Sequence, residues 1–147
     1  MAVVDCRIRL LEARDVRSCV QLYQEAYQAP PYGHGWDDST AQRIIEDIFR
    51  LFPRECFVAE LEAQVVGFIL CSSLAGLRAT IEEFAVAPGL QRQGVGRMLL
   101  NYVTRYYRDR KVPFLELVAN IDAPAYQFYL HEGFTENETY RLMSKEL

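Results

Sequence analysis

Apolar residues recur along this chain at two different periods, and the changes of period predict an order of elements. Alternation over 7–11 predicts a first β-strand. Apolar residues at helical spacing then predict a first helix over 16–28, with Asp15 as its N-cap. A second helix is predicted from the cap residue Ser39 to the residue before Pro53.

Strands and helices are also predicted in the rest of the chain. The predicted strands are 56–61, 65–74, 80–86 and 112–118, with further strand-like sequence at Phe134 and over 139–144. The predicted helices are 94–108 and 124–131. The first of these would bury Val95, Leu99, Leu100, Val103 and Tyr107. Because hairpins and crossovers are mixed in this order, the sequence predicts an α/β (α+β) fold, a mixed and mostly antiparallel sheet flanked by about four helices.

Length and charge narrow the class of protein. A chain of 147 residues fits one domain, 1–147, with one core. The formal net charge of −4 excludes a chain-wide basic surface for nucleic acid. Residues 1–12 carry charges where a signal peptide would be apolar, and no apolar run reaches the roughly 18 residues that span a bilayer. We therefore expect a cytoplasmic protein with neither nucleic acid nor a membrane among its partners.

The cysteines, Cys6, Cys19, Cys56 and Cys71, lie in apolar stretches and form no CxxC pair. Free cysteine in such a context behaves as a small hydrophobic residue. We expect buried, reduced thiols and no metal site.

The segment 86–97 carries the most specific signal for a ligand. A predicted strand ends, a short loop follows, and a helix begins among glycines at Gly94 and Gly96. The first N–H groups of a helix have no partner within it, and the helix dipole adds partial positive charge there. Glycines also let a ligand approach the backbone closely. The junction predicts an anion site suited to a pyrophosphate, to which Arg92 and Arg97 add charge. The alternative is a helix start that needs small residues only for packing.

The pattern Gln91-x-x-Gly94-x-Gly96, preceded by Val86-x-Pro88, resembles the acetyl-coenzyme A signature of the GNAT superfamily of N-acetyltransferases. The resemblance implies the GNAT-like acyl-CoA N-acyltransferase fold, with acetyl-CoA as co-substrate. It implies that the strand before the loop lines the pantetheine arm through Phe84, Ala85 and Val86. It also implies that the loop and the helix start surround the phosphates through Gln91, Arg92, Gln93, Gly94, Val95, Gly96 and Arg97.

A second segment, 120–134, resembles the family's other coenzyme A motif. Ala125-x-x-Phe128-Tyr129-x-x-x-Gly133-Phe134 keeps the spacing of that motif. The family often has asparagine three residues before the small residue, whereas here Asp122 stands there and Asn120 lies two residues earlier. By resemblance, Tyr129 binds the cofactor and gives a proton to the departing thiolate, and Asn120 reaches the pantetheine amides. The alternative for Tyr129 is an aromatic core residue of a short helix.

Three acidic residues are candidates for the base that takes the proton of the attacking amine. Glu82 and Glu83 lie in the strand that leads into the loop, where alternation sends their side chains to opposite faces. Glu83 resembles the acidic residue of aminoglycoside-acetyltransferase-like members and is favoured, with Glu82 second. Glu116 resembles the acidic residue of ribosomal-protein N-terminal acetyltransferases. Each could instead form an ion pair or face solvent.

The acceptor is expected against the loop between the first two helices, 30–38, which resembles loops of aminoglycoside 6′-N-acetyltransferase-like members. Its aromatic and acidic side chains Tyr32, Trp36 and Asp37 suit a cationic amine. His34 is a further candidate base. In the alternative, Trp36 only fills a gap, Asp37 helps to start the next helix, and His34 is a surface residue.

These patterns together predict an enzyme that transfers acetyl from acetyl-CoA to a primary amine by direct attack in a ternary complex. A small cationic amine is slightly favoured as acceptor over a protein N-terminus, and the resemblance suggests a homodimer. The alternative from another class is a non-catalytic acyl-CoA-binding sensor or regulatory module. Tyr129 and the carboxylates near the loop favour the enzyme.

Overall fold

Residues 4–33 and 37–147 are described by the computed structural model, and within them five strands form one mixed sheet in the order β1-β2-β3-β4-β5. The strands are β1 (Arg7–Leu10), β2 (Cys56–Leu61), β3 (Gln64–Leu74), β4 (Arg78–Val86) and β5 (Leu115–Glu116). Neighbouring strands pair antiparallel except β4 and β5, which run parallel. The predicted mixed, mostly antiparallel sheet is confirmed.

Helices cover both faces of this sheet. They are α1 (Val16–Tyr27), α2 (Asp38–Leu51), α3 (Val95–Asp109) and α4 (Pro124–His131). α1 and α2 pack on one face and α3 packs on the other, so that a separate apolar core lies on each side. The five α3 side chains that were predicted to be buried are buried. No helix in the described part of the chain is both long enough and apolar enough to cross a membrane.

The predicted hairpin of β2 and β3 is confirmed. Its turn residues Glu62 and Ala63 both take left-handed conformations, with φ of 49° and 62°. A two-residue turn of this kind matches the twist of the strands that it joins. The cysteines are buried free thiols, as the sequence predicted.

α1 begins at Val16 after Asp15, as predicted, but the side-chain capping of both N-terminal helices differs from the prediction. Asp37, not Ser39, is the N-cap of α2, because its carboxylate accepts a hydrogen bond from the Thr40 N–H at 2.8 Å. Asp15 stands at the N-cap position of α1, but its side chain caps no amide of that helix. Its carboxylate is bound instead by the guanidinium of Arg9, which donates a hydrogen bond to it at 2.7 Å.

The C-terminal third has less strand than the sequence predicted. The strand predicted over 112–118 consists only of Leu115–Glu116. The strand-like prediction at Phe134 and over 139–144 is wrong for the described chain, in which these residues form no strand and residues 135–147 are exposed. Alternation shows which side chains can share a face, but a strand also needs a neighbour that accepts and donates backbone hydrogen bonds.

Candidate active site

β4 and β5 separate after a short stretch of parallel pairing. Ala79 and Thr80 pair with Leu115 and Glu116 of β5. Over 81–86, β4 pairs only with β3 among the strands of the described chain. The second edge of β4 therefore offers backbone N–H and C=O groups to an extended ligand.

This free edge leads into a tight turn and the start of α3. Gly94 is the N-cap of α3 in a left-handed conformation with φ of 92°, and Arg92 is also left-handed with φ of 62°. The Met98 N–H is bonded to the Gly94 carbonyl at 3.0 Å, so the amides of residues 95–97 precede the first partner within the helix. With the helix dipole added, this is the geometry of an anion site.

The room for a Cβ at Gly96 shows whether internal packing requires glycine at this position. A Cβ at Gly96 would come no closer than 3.6 Å to Phe84 and Phe128, an ordinary van der Waals distance. At Gly67 on β3, by contrast, a Cβ would lie 3.2 Å from the Ala85 carbonyl and 3.1 Å from the Leu99 side chain, so a side chain there would be crowded. Packing therefore does not require glycine at position 96, and the absent side chain leaves the backbone accessible at the start of α3.

Polar side chains hold the turn and connect it to α4. The side-chain amides of Gln91 and Gln93 donate to backbone carbonyls of the same segment at 3.3 and 3.1 Å. Arg97 donates to Glu132 at 2.7 Å, which ties the start of α3 to the end of α4. Arg92 is exposed at the turn, where its positive charge adds to that of the amides.

A β-bulge turns Glu83 towards α1. The register of β3 with β4 shifts after the Leu70–Glu83 pair, which leaves Glu82 as the extra residue. Glu82 is exposed and accepts a hydrogen bond from the Ser72 hydroxyl. Glu83 is half-buried beside Tyr23 of α1. The predicted opposite faces are wrong: Glu83 pairs with Leu70 and Glu82 is bonded to Ser72, two residues further on the same face of β3, because the extra residue of the bulge interrupts the alternation.

The surroundings of Glu83 weaken its acidity. Burial is the largest influence, the Glu82 carboxylate adds to it, and a hydrogen bond from the Tyr23 hydroxyl opposes it; together they raise the pKa of Glu83 to about 7. A carboxyl group whose pKa lies near the working pH is suited to general-base catalysis.

α1 and the loop after it bring aromatic hydroxyls to this carboxyl group. The ring centroids of Tyr23 and Tyr27 lie 4.7 Å apart, and Tyr32 packs edge-on against Tyr27, also at 4.7 Å. The Tyr27 hydroxyl donates to the Phe84 carbonyl of β4 at 3.4 Å. Burial, with the negative charge of Glu83 as a further cause, raises the pKa of Tyr23 and of Tyr27 far above the usual value. Both phenols therefore keep their protons near neutral pH.

Tyr129 of α4 joins the same cluster from the other side of β4. Its ring lies 6.3 Å from Phe84 and 5.6 Å from Phe134, measured between centroids. Burial first, and then the negative charges of groups that include Tyr32 and Glu83, raise the pKa of Tyr129 well above its usual value. The phenol is therefore protonated near neutral pH and has a proton to give. The Glu83 charge is one of the influences on the pKa of Tyr129, so these two residues, predicted from separate motifs, share one electrostatic environment.

Two predicted site residues lie outside this cluster. Glu116 is exposed on β5, and the interactions described for Glu83 and Tyr129 do not include it. Asn120 is exposed before α4, where its side-chain carbonyl accepts from the Asp122 N–H at 2.9 Å. The NH₂ of the Asn120 amide remains a donor for a ligand.

The acceptor-loop prediction is described only in part. Asp37 is exposed and caps α2; its bonds with the Thr40 N–H and then with side-chain hydroxyls lower the pKa of Asp37. This is the role given to Asp37 in the alternative interpretation of the loop. Trp36 and His34 lie outside the described residues.

The sequence patterns did not indicate Tyr23, Tyr27 or Glu132 as site residues. The two tyrosines lie four residues apart on the apolar face of α1, which predicts core packing. Their hydroxyls were the available signal, because a buried phenol needs a hydrogen-bond partner. No local pattern indicates Glu132, whose partner Arg97 is 35 residues away in the sequence.

Known proteins are similar to this chain in sequence. The model of the Acetyltransferase (GNAT) family matches residues 16–134. Streptothricin acetyltransferase of Streptomyces lavendulae is 37% identical over 75 residues, which are 50% of this chain and 40% of that protein. The chain spans less than half the length of the curated relatives that it matches.

Solved structures share the fold. The ribosomal-protein-S18-alanine N-acetyltransferase from Escherichia coli is 26% identical with a TM-score of 0.71, covering 90% of this chain and 79% of that one. An aminoglycoside acetyltransferase, meta-AAC0020 from an uncultured soil metagenomic sample in complex with trehalose, is 22% identical. Its TM-score is 0.70 over 97% of this chain and 96% of that one, a likeness of fold alone. Since the family model extends from α1 through the turn before α3 to the end of α4, the chain belongs to the Acetyltransferase (GNAT) family.

Proposed function

We propose that this chain transfers the acetyl group of acetyl-CoA to a primary amine by direct attack in a ternary complex. The observation that carries the proposal is that Glu83 precedes Phe84 on β4 and that the ring of Tyr129 lies 6.3 Å from the Phe84 ring, beside the free edge of β4. Glu83 is a carboxyl group with a pKa of about 7, and Tyr129 is a phenol that keeps its proton. The reaction needs one group that takes a proton and one that gives a proton, and these two fit.

Acetyl-CoA fits the surface between β4 and α3. Its pantetheine arm would lie along the backbone of 84–86, where β4 has a free edge, and its pyrophosphate would lie at the amides of 91–97. The exposed guanidinium of Arg92 and the absence of a side chain at Gly96 support this placement. The side-chain NH₂ of Asn120 would donate to the arm.

The proton transfers follow from the positions of the two groups. Glu83, directly or through water, takes a proton from the ammonium, and the neutral amine attacks the thioester carbonyl. A C–N bond forms and the C–S bond breaks while backbone N–H near Val86 stabilises the oxyanion. Tyr129 gives its proton to the departing thiolate, and the proton that nitrogen loses as the amide forms returns to Tyr129 directly or through water. Glu83 is preferred as base over Glu82, which is exposed on the bulge, and over Glu116, which lies outside the cluster.

A small cationic amine is the acceptor that we favour. Clustered tyrosine rings next to a carboxyl group attract an organic cation through its charge and through the ring faces. Tyr32 belongs to this cluster, and Asp37 and Trp36 belong to the loop that would border the acceptor. A relative named for streptothricin and a structural neighbour named for aminoglycosides agree with this choice. The neighbour named for ribosomal-protein alanine represents the other choice, a protein N-terminus.

The decisive experiment measures free thiol released from acetyl-CoA over a panel of small amines and N-terminal peptides. Tyr129→Phe should bind acetyl-CoA as the wild type does in calorimetric titration, but its kcat should fall by about 100-fold or more. Tyr102→Phe is the matched control, because Tyr102 is a partly exposed tyrosine of α3 outside the cluster. This control should keep wild-type rates.

Three results would count against the proposal. Equal rates for Tyr129→Phe and the wild type would remove Tyr129 from the chemistry. Tight binding of acetyl-CoA without turnover on any acceptor would favour the non-catalytic sensor. Absence of both binding heat and a thermal shift with acetyl-CoA would refute the cofactor and the reaction together.

A further inference from the structure

One end of the domain collects exposed apolar side chains. β3 ends there and β4 and β5 begin there, since β4 pairs antiparallel with β3 and parallel with β5. α2 ends there because it leads into β2, and α3 ends there because it connects the end of β4 with the start of β5. Outside 135–147, six large apolar side chains of the described chain are at least 60% exposed, and four of them lie at this end: Leu51, Leu74, Leu77 and Phe114. Single exposed apolar residues are ordinary, but a group of them at one place indicates an interaction surface.

The turn between β3 and β4 presents part of this apolar group on an open loop. The Leu77 N–H donates to the Leu74 carbonyl at 2.9 Å, which closes the turn. A Cβ at Gly76 would have no heavy atom within 4 Å other than its neighbours in the chain, so the turn stands in open space. Phe114 lies beside the turn, because its carbonyl accepts from the Ala79 N–H at 2.9 Å. Apolar side chains on an open turn can enter a lipid layer without any rearrangement of the fold.

The same end is positively charged. Its segments 50–55, 73–78 and 108–114, which we call the basic end, contain six arginine or lysine residues and two carboxylates, although the whole chain has a net charge of −4. Five of these cations form no ion pair with any residue of the described chain: Arg54, Arg78, Arg108, Arg110 and Lys111. Of the two carboxylates, Glu55 already accepts a hydrogen bond from the Tyr107 hydroxyl at 2.9 Å. The basic end therefore has positive charge that an external anion can balance.

A cavity at the basic end combines both chemistries. It lies between the end of α3 and β5, has a volume of about 350 Å³, and is lined by Arg108 and Lys111. Val112 and Leu115 belong to its apolar lining. Cationic side chains next to apolar ones suit an amphipathic anion such as a phospholipid, whose phosphate would contact the two cations.

We propose that the basic end docks on a membrane surface that contains anionic phospholipid. Leu77 and Phe114 enter the interface between headgroups and acyl chains, and the five cations contact lipid phosphates. The expectation that no membrane is a partner came from the net charge of the whole chain and from the lack of a spanning segment, and neither describes the charge at one end. The cradle at Gly94 lies at the other end of α3, about 22 Å away at 1.5 Å per residue over its 15 residues. Docking therefore leaves the cradle open and does not depend on the proposed acetyl transfer.

Sedimentation with lipid vesicles is the first test. The purified chain should sediment with vesicles of phosphatidylcholine that contain about one third phosphatidylserine, and not with vesicles of phosphatidylcholine alone. Salt at about 0.5 M should release it, because salt screens exposed charges. Arg108→Glu/Lys111→Glu should weaken binding about tenfold or more, whereas Arg7→Glu/Arg43→Glu, which changes the net charge equally outside the basic end, should bind as the wild type does. Failure to sediment with the anionic vesicles would overturn the proposal and leave a protein as the occupant of this surface, and equal effects of the two double variants would overturn the orientation.

Removal of apolar side chains is the second test and separates insertion from adsorption by charge alone. Leu77→Ser/Phe114→Ser should weaken binding to the anionic vesicles about tenfold or more, with an unchanged far-ultraviolet circular dichroism spectrum, because both side chains are already exposed to solvent. Val118→Ser/Ile121→Ser is the matched control, since these side chains are 73% and 69% exposed outside the basic end, and it should bind as the wild type does. If Leu77→Ser/Phe114→Ser binds the vesicles as tightly as the wild type, the apolar group does not enter the membrane and the proposal is wrong.

Discussion

Glu83 is a half-buried carboxyl group with no cation among its described partners. Burial and the Glu82 charge disfavour its ionised form, and the Tyr23 hydrogen bond favours it. A base acts only when it is ionised, so the rate of acetyl transfer should rise with pH through the Glu83 pKa of about 7. If Glu83 is the base, as we propose, Tyr23 should affect the rate through Glu83, as a positioning residue.

Tyr23→Phe should move the acidic limb of the pH profile to higher pH. The variant removes a donor that stabilises the carboxylate, so the pKa of Glu83 rises further. The expected shift is about one pH unit, close to the ~1.4 kcal/mol of a hydrogen bond to a charged group. The measurement is kcat at saturating substrates from about pH 5.5 to about pH 9.

A merely structural role for Tyr23 gives a different result. In that case kcat would fall equally at every pH and the midpoint of the limb would stay in place. Tyr102→Phe serves as the control with an unchanged profile. Glu83→Gln should lose most of the activity, and its pH profile should lack the acidic limb.

At the level of elements, two glycines at the start of α3 should have separate roles, Gly94 in stability and Gly96 in binding of acetyl-CoA. Gly94→Ala should destabilise the protein by about 1–2 kcal/mol, because φ of 92° disfavours any residue with a Cβ. Gly96→Ala has room for its Cβ and a better helix propensity, so stability should be unchanged or up to about 1 kcal/mol higher. Its affinity for acetyl-CoA should nevertheless fall about tenfold, because the methyl group lies where the ligand approaches the amide.

Urea unfolding and calorimetric titration of both glycine variants check this separation. Undiminished binding by Gly96→Ala would mean that the pyrophosphate does not lie at this amide. A stable Gly94→Ala would mean that the left-handed cap is not needed to start α3.

The elements that could be predicted from sequence are those determined by residues within their own segment. α3 and the β2–β3 hairpin follow from apolar spacing and turn residues within each segment, and both were predicted. Asp37 replaced Ser39 as the cap because its carboxylate reaches the Thr40 N–H from outside the helix. The start of α3 after Gly94 was predicted from the same local sequence.

The remaining features depend on contacts that are distant in sequence. The bulge that leaves Glu82 exposed while Glu83 faces α1 arises from pairing with β3, which no pattern within β4 indicates. Tyr23 joins the site only because α1 packs across that bulge. The segment 139–144 has a strand pattern, but its strand needs a partner that the described chain does not supply.

Across the whole molecule, the two ends of the sheet have different roles. At one end β4 and β5 diverge and leave backbone groups free for a ligand. At the other end Arg9 of β1 binds both Asp15, just before α1, and Glu60 of β2. The Arg9 and Asp15 side chains are only 12% and 6% exposed. This ion network fixes the start of α1, the helix that carries Tyr23 to Glu83.

Replacing Arg9 by methionine should therefore destabilise the whole fold. Burial alone would raise the pKa of Asp15, but its bonds with Arg9 and with the Glu12 N–H outweigh burial and hold that pKa below the usual value. Arg9→Met leaves the carboxylate buried without a cation, at a cost of about 3–5 kcal/mol near pH 7. Arg14→Met is the matched control, because the pair of Arg14 with Glu12 is exposed, and it should cost less than about 1 kcal/mol.

The destabilisation by Arg9→Met should depend on pH. The pKa of Asp15 is lower in the folded state than its unfolded-state value of 3.8. The ionised carboxylate therefore stabilises the wild type above pH 3.8. This stabilisation is lost as pH falls through the folded-state pKa of Asp15. In Arg9→Met the same carboxyl group is hard to ionise, so its protonation removes the free-energy cost of a buried carboxylate without a cation. The gap in unfolding free energy between wild type and variant should be largest near pH 7 and shrink towards pH 4 in urea titrations. Arg9→Met/Asp15→Asn should recover much of the unfolding free energy that Arg9→Met loses near pH 7. If the difference in unfolding free energy between wild type and Arg9→Met does not change with pH, Arg9 acts through packing of its side chain and not through its charge.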